Sequence, residues 1–335
     1  MVAGAAERCG SLTTVSGDDV LAQIDRQLEE LRLLARRRPA EVPAMVGLNG
    51  LELPPGHVLR TALGELRPVG QDNADVLPGS PVPTVKLSLT FPLRYTRIES
   101  DDLPPGAPPG FWESWREFEA RVDLVRLAVL LAHGPESGLA LRRVSEQIHD
   151  PLFGGGLSGR SFGSGFSIPF DPAHEASIIE WAERIKTYYR PEIALAVRRT
   201  LSAADGLRAT DDALVDAVIA LEALFGTGET EVGFRLRTAL AFLLGEDESE
   251  RRAIHAEVGQ IYDARSQLVH GSAVIDQETL LEFRGSAVQL AVRCLKLLFS
   301  THHRLIQDPG RGKRIILAAG RGLADEDRTV ADDRG

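Results

Sequence analysis

The chain has 335 residues, 43% of them apolar and 26% charged, with a formal net charge of −10. That length builds one large domain or two, and the apolar share is ordinary for a globular protein. The acidic balance argues against a protein that coats long nucleic acid through a basic face, while leaving room for a small, locally basic site.

Residues 1–16 carry no regular pattern. Asp18 and Asp19 open a helix through Arg38, with Leu21, Ile24, Leu28, Leu31 and Leu34 at helical spacing and Pro39 ending it. Residues 40–110 are rich in Pro and Gly. Their clearest element is the strict alternation of residues 85–91, VKLSLTF, and prolines at 81, 83 and 92 mark it as an edge strand. Residues 51–66 supply a further strand or a short helix. From Phe111 the stripe Phe111, Trp115, Phe118, Val122, Val125 and Val129 predicts a core helix closed by His133 and Gly134. A second helix is expected near residues 139–148. The glycine-rich stretch 153–165 lacks the Gly-Lys-Ser/Thr ending of a phosphate-binding loop and reads as a mobile surface loop or hinge.

The remainder is nearly all helical. Periodic segments cover 175–189, 191–204, 211–225, 234–244, 250–270 and 277–303. Short connections between them imply antiparallel neighbours and hence a bundle. Residues 307–335 read as a polar, frayed tail. The predicted organisation is therefore mainly α: an N-terminal helix (1–40), a mixed α/β region with the glycine-rich loop (41–172), an antiparallel helical bundle (173–306) and the tail (307–335). The two cysteines, Cys9 and Cys294, read as free thiols of a reducing compartment. No signal-peptide pattern opens the chain, and no apolar run nears the roughly 18 residues of a membrane span. The expectation is a cytoplasmic protein without membrane contact.

The segment IYDARSQLVHG at 261–271 concentrates the chemistry. Ile254, Val258, Ile261 and Leu268 form one helix face, and Arg265 falls on the same stripe, where a permanent cation calls for a partner. His270 follows, and then Gly271, the usual helix stop. Taken alone, the pair reads more readily as dipole-favoured residues at a helix C-terminus. Alternatively, the arginine can hold a phosphate while the histidine moves a proton, which permits cleavage of RNA through its own 2′-hydroxyl. Positions five apart lie about 140° apart around an ideal helix. Both side chains reach one phosphate only if the helix unwinds before His270 or a second protomer completes the site. Arg251, Arg252, Arg284 and Arg293 read as solvated helix faces, with a groove leading RNA to the site as the less favoured reading. Adjacent His302 and His303 point about 100° apart on a helix and chelate poorly, so no metal is expected.

Three segments in order, ALAVRRTLSAADGLRATDDALVDAVIALEALF (194–225), FRLRTALAFLL (234–244) and IYDARSQLVHG (261–271), resemble the C-terminal region of Apea-like HEPN domain-containing proteins. The resemblance implies a bundle of four or five helices that forms a homodimer or higher homo-oligomer. It implies a metal-independent, cofactor-free endoribonuclease that leaves 2′,3′-cyclic phosphate ends, acting in phage defence or as a toxin. It assigns Arg265 and His270 to catalysis. Ser266 stands where active nucleases of the superfamily often carry Asn, Asp or His. Glu222, in the IALEALF segment, would order Arg265 as a buried carboxylate, and Arg235 and Arg237 would contact RNA. Other HEPN domains are non-catalytic dimerisation or RNA-binding modules, which is the alternative expectation.

Overall fold

The computed structural model describes residues 17–36, 38–69, 84–94, 111–137, 140–150, 154–159, 167–226, 231–271 and 275–318. The chain divides into two units: residues 1–122 with 142–170, and residues 123–141 with 171–335. Helix dominates, and a smaller antiparallel sheet lies in the N-terminal part.

The first unit opens with helix α1 (Gly17–Ala35), which packs on strand β1 (Ala40–Asn49). Strands β2 (Leu51–Glu52), β3 (Leu59–Thr61), β4 (Gly64–Pro68), β5 (Val85–Leu93), β6 (Arg142–Asp150), β7 (Gly154–Gly159) and β8 (Ile168–Pro169) follow. Six of them form one sheet in the order β3-β4-β5-β1-β6-β7, and β2 pairs with β8 in parallel. The alternation expected in β5 is present: Val85, Leu87 and Phe91 are buried, while Ser88 and Thr90 face solvent. Phe91 meets Phe118 edge-on at 5.4 Å, on helix α2 (Phe111–His133).

Several expectations are corrected here. β5 is not an edge strand; it lies between β4 and β1. Its only proline, Pro92, stands at the penultimate position, where a missing amide interrupts little of the ladder. Where a helix was expected near residues 139–148, the described residues from Arg142 on are strand. β1 has a second edge to pair, and Val144 and Glu146 alternate inward along β6. Part of the glycine-rich stretch is strand as well, since β7 pairs with β6 from Asp150↔Gly154 to Ser145↔Gly159. Residues 160–166 lie outside the described residues. On α1 the buried row is Gln23, Gln27, Glu30 and Leu34, and Leu21 is 61% exposed. The long methylene stems of that row do the covering that the leucine stripe was expected to do.

The second unit contains α3 (Glu175–Tyr188), α4 (Ala194–Ala204), α5 (Thr210–Phe225), α6 (Val232–Leu244), α7 (Glu248–His270), α8 (Gln277–Ser300) and α9 (Arg311–Ala318). α5 is the axis: it packs against α4, α6, α7, α8 and α9. Its composition explains this, because a helix apolar on most sides is stable only when surrounded. Leu214, Val218, Leu221 and Phe225 are all buried. Its buried Asp216 accepts a 2.6 Å hydrogen bond from Ser202 and pairs with Arg199 and Arg208. Such a carboxylate is tolerable only with this much compensation.

Residues beyond 307 were expected to fray, yet α9 docks on the end of α5. Arg311 is 4% exposed, and its guanidinium donates to the carbonyls of Leu305, Ile306 and Leu224 at 2.9 Å each. Those of α5 are carbonyls that a helix C-terminus leaves without an intrahelical partner. Gly312 makes the approach possible: a Cβ there would lie 2.3 Å from the Phe225 carbonyl oxygen. Residues 319–335 lie outside the described residues.

Candidate functional site

α7 is well delimited. Asp247 caps its start by accepting from the Glu250 amide at 2.8 Å, and Gly271 ends it in the left-handed conformation, φ 61°. The helix runs unbroken through His270, so the unwinding that would bring His270 onto the Arg265 side does not occur. His270 is exposed in the last turn, and Arg265 is half-buried. Within one chain these two side chains are not brought together.

Arg265 meets Glu222 of α5. Its Nη2 lies 3.6 Å from Glu222 Oε2, with the side chains 24% and 22% exposed. The carboxylate is thus partly open to solvent, where full burial was expected, because it sits in the last turn of α5 on the flank of Val215 and Ile219, both half-buried. The guanidinium carbon stands 6.0 Å from the Tyr262 ring centroid, at the outer limit of a cation–π contact. Burial raises the Tyr262 phenol pKa, the Glu222 carboxylate raises it further, and Arg265 opposes both. Glu222, Tyr262 and Arg265 therefore form one corner.

A second cluster continues along the same face of α7. His255, Gly259, Tyr262 and Ser266 fall within about 60° of one another on an ideal helix. The facing helix is α6, and two glycines permit the approach. A Cβ on Gly233 would lie 3.0 Å from Tyr262 Cε1, and one on Gly259 would lie 3.4 Å from Arg237 Nη1. Arg237 thus crosses α7 at Gly259, and its guanidinium carbon sits 5.6 Å from the Phe234 ring. Phe234 is 52% exposed, and His255 meets its ring at 6.0 Å, nearly perpendicular. Burial lowers the His255 pKa, and the charge of Arg237 lowers it further.

Two donors on this face are unused. The Nε atoms of Arg237 and Arg265 are buried and make no hydrogen bond among the described residues. A buried, unpaired polar donor costs about 1–3 kcal/mol, so it calls for an explanation. Ser266 is half-buried beside Tyr262. Arg235 does not share the face: two positions apart on a helix is about 160° around it, so Arg235 and Arg237 diverge. Each of the two guanidinium groups has a donor left for an oxyanion, and an exposed aromatic ring lies beside that of Arg237.

Tyr262, Phe234, Gly233 and Gly259 were not singled out from sequence, and His255 reads there only as a histidine without ligand-like spacing. The row 255–259–262–266 was visible as a helical period, but its importance depends on which helix faces it. The arginines considered as a groove also separate. Arg251 donates to the Gly245 carbonyl at 3.1 Å, Arg252 pairs with Glu248, Arg293 is exposed, and Arg284 is half-buried elsewhere in the unit. Among the described residues no group of three His, Cys, Asp or Glu side chains is placed to hold a metal ion. No helix among them is long and apolar enough to cross a membrane. Cys294 is free and buried, and burial pushes its thiol pKa up. No family model, curated protein or solved structure matches the chain.

Proposed function

We propose that the helical unit is a HEPN-type module of a cytoplasmic, metal-independent endoribonuclease that works as a homodimer, in phage defence or in a toxin-like role. The observation that carries the reading is the unused donor capacity of Arg265 and Arg237, the latter beside the exposed Phe234 ring. Arg265 is held by one long ion pair instead of a full set of hydrogen bonds, so its fork can turn toward a phosphate. Phe234 offers a stacking surface for a base, and such stacking is tolerant of sequence.

In the reaction His270 takes the proton of the ribose 2′-hydroxyl as the 2′-oxygen attacks phosphorus. Arg265 stabilises the charge that gathers on the phosphoryl oxygens. The bond to the 5′-oxygen breaks, and the proton that His270 took passes through water to that leaving oxygen, while the Arg265 at the site comes from the other copy. The products are a 2′,3′-cyclic phosphate and a free 5′-hydroxyl. A second copy is needed because α7 places its own Arg265 and His270 about 140° apart.

Incubation of the purified protein with RNA in excess EDTA tests this. Cleavage to cyclic phosphate ends that disappears in Arg265→Ala and in His270→Ala supports it; intact RNA with the wild-type protein refutes it. One specific observation favours a second reading, a non-catalytic RNA-binding or dimerisation module: no single chain brings Arg265 and His270 together. In that case RNA is bound but left intact, and Arg237→Ala weakens the binding.

A further inference from the structure

His133 closes α2 and His174 stands at the entry of α3, and their imidazoles stack at 4.1 Å with the planes 21° apart. Both belong to the second unit. Stacked rings are ordinary packing, but the state of their nitrogens is not. His133 Nε2 and His174 Nδ1 are buried and make no hydrogen bond among the described residues. Asp171 Oδ2 stands 3.4 Å from His174 Nδ1, near enough for an ion pair once that ring is charged, but not aligned for a hydrogen bond. The turn that carries His174 hangs on the same residue. Asp171 accepts from the Ala173 amide at 2.9 Å through its side chain, and from the His174 amide at 3.0 Å through its carbonyl.

Imidazole gains its charge between pH 8 and 5, so this contact changes character where other packing does not. One proton fits. On His174 it is offset by Asp171, and on His133 it lies in the last turn of a helix, where the dipole favours a cation. Two protons do not fit. Unit charges 4 Å apart shift an equilibrium by a factor of about five even in bulk water, and by more where water is partly excluded. The entry of α3 has no side-chain cap, and the dipole there disfavours a cation on His174. Burial lowers the His133 pKa, the charge of His174 lowers it further, and Asp171 opposes both. The other charged groups nearby are Glu136, whose carboxylate folds over Gly134, Arg284 of α8, which lines one cleft with Glu136, and Glu175, the first residue of α3.

We propose that the stack of His133 on His174 is an acid-sensitive latch. With at most one ring charged it ties the last turn of α2 to the entry of α3. With both charged the rings part and the turn at residues 171–174 is released. The buried row Ile178, Ala182 and Ile185 keeps α3 itself in place, so acid loosens the joint and not the bundle. The sign follows from the lowered His133 value: its contribution is fully present above the ordinary 6.5 and is lost as pH falls through the lowered value. The latch does not depend on the nuclease reading, because neither histidine belongs to the Arg265 face.

Amide exchange and imidazole NMR on the full chain test it, at about pH 7.5 and about pH 5. After correction for the intrinsic rate, the Ala173 and His174 amides should open about fivefold more often, or more, at the lower pH. His133→Phe keeps a ring in the stack and removes one charge, so the acid increase should vanish. His174→Phe should move the His133 titration up toward its ordinary value, which burial alone would not do. Exchange in the wild type that is the same at both pH values would overturn the latch, and that result needs no variant to fold. So would an acid increase that persists in His133→Phe, or a His133 titration indifferent to His174→Phe.

Discussion

Two arginines meet the last turn of α5, and they do so in opposite ways. Arg311, from α9, is almost fully buried and each of its three guanidinium nitrogens donates to backbone carbonyls. Arg265, from α7, is partly open, holds Glu222 at 3.6 Å and leaves its Nε without an acceptor. The first is a fastener: it supplies hydrogen bonds that the end of α5 would otherwise lack. The second is fixed only loosely and has donor capacity left for something outside the chain. A fully satisfied buried cation speaks for stability, whereas a half-satisfied one at a surface speaks for a ligand.

The sharpest way to break this contrast is at the fastener. Gly312→Ala places a methyl group where a Cβ would lie 2.3 Å from the Phe225 carbonyl oxygen, so α9 must leave its seat. We expect a loss of about 3 kcal/mol, from overpacking and from the carbonyls that Arg311 then abandons, read by urea unfolding. Arg311→Ala should lose a similar amount, about 3 kcal/mol, by uncovering the same acceptors. A loss under about 1 kcal/mol for both would mean that α9 is not a fastener.

At Arg265 the balance should invert. Arg265→Ala is expected to change stability by less than about 1 kcal/mol, because a partly exposed ion pair contributes little. The same substitution should remove RNA cleavage. Glu222→Gln should lower cleavage without abolishing RNA binding, because Arg237 and Phe234 remain in place. If Arg265→Ala destabilises the fold as much as Arg311→Ala, the two arginines play one role and the contrast fails.

A smaller effect is expected from pH. The Tyr262 pKa is raised above its ordinary value of 10.0, by burial first and by Glu222 second. The folded state therefore favours the neutral phenol. Its contribution is fully present below pH 10 and is lost as pH rises through the raised value. Tyr262→Phe should flatten the alkaline limb of the stability profile measured between pH 9 and 11, whereas Arg311→Ala should shift the profile down without changing that limb.

Much of the fold was legible in the sequence because periodicity reports which face is covered. The stripes of α5 and α7 and the alternation of β5 are local patterns, and burial follows them. What failed was whatever depended on a distant partner. β6 is a strand because β1 has an open edge, which the segment's own residues do not reveal. α9 is short and basic, and its seat is made of carbonyls from residues 223 and 224, far back in the chain. The site divides in the same way. That Arg265 needs a carboxylate follows from its place on an apolar stripe. The Phe234, Arg237 and His255 cluster exists only because α6 crosses α7 at two glycines, and no spacing within either helix announces that crossing.

The most direct test of the central claim mixes two inactive variants. If cleavage needs Arg265 from one copy and His270 from another, Arg265→Ala and His270→Ala are each silent alone. After subunit exchange, their mixture should regain roughly a quarter of wild-type RNA cleavage, because half the dimers then carry one intact site of two. A mixture as silent as its components, beside an active wild type, would contradict a site shared between copies.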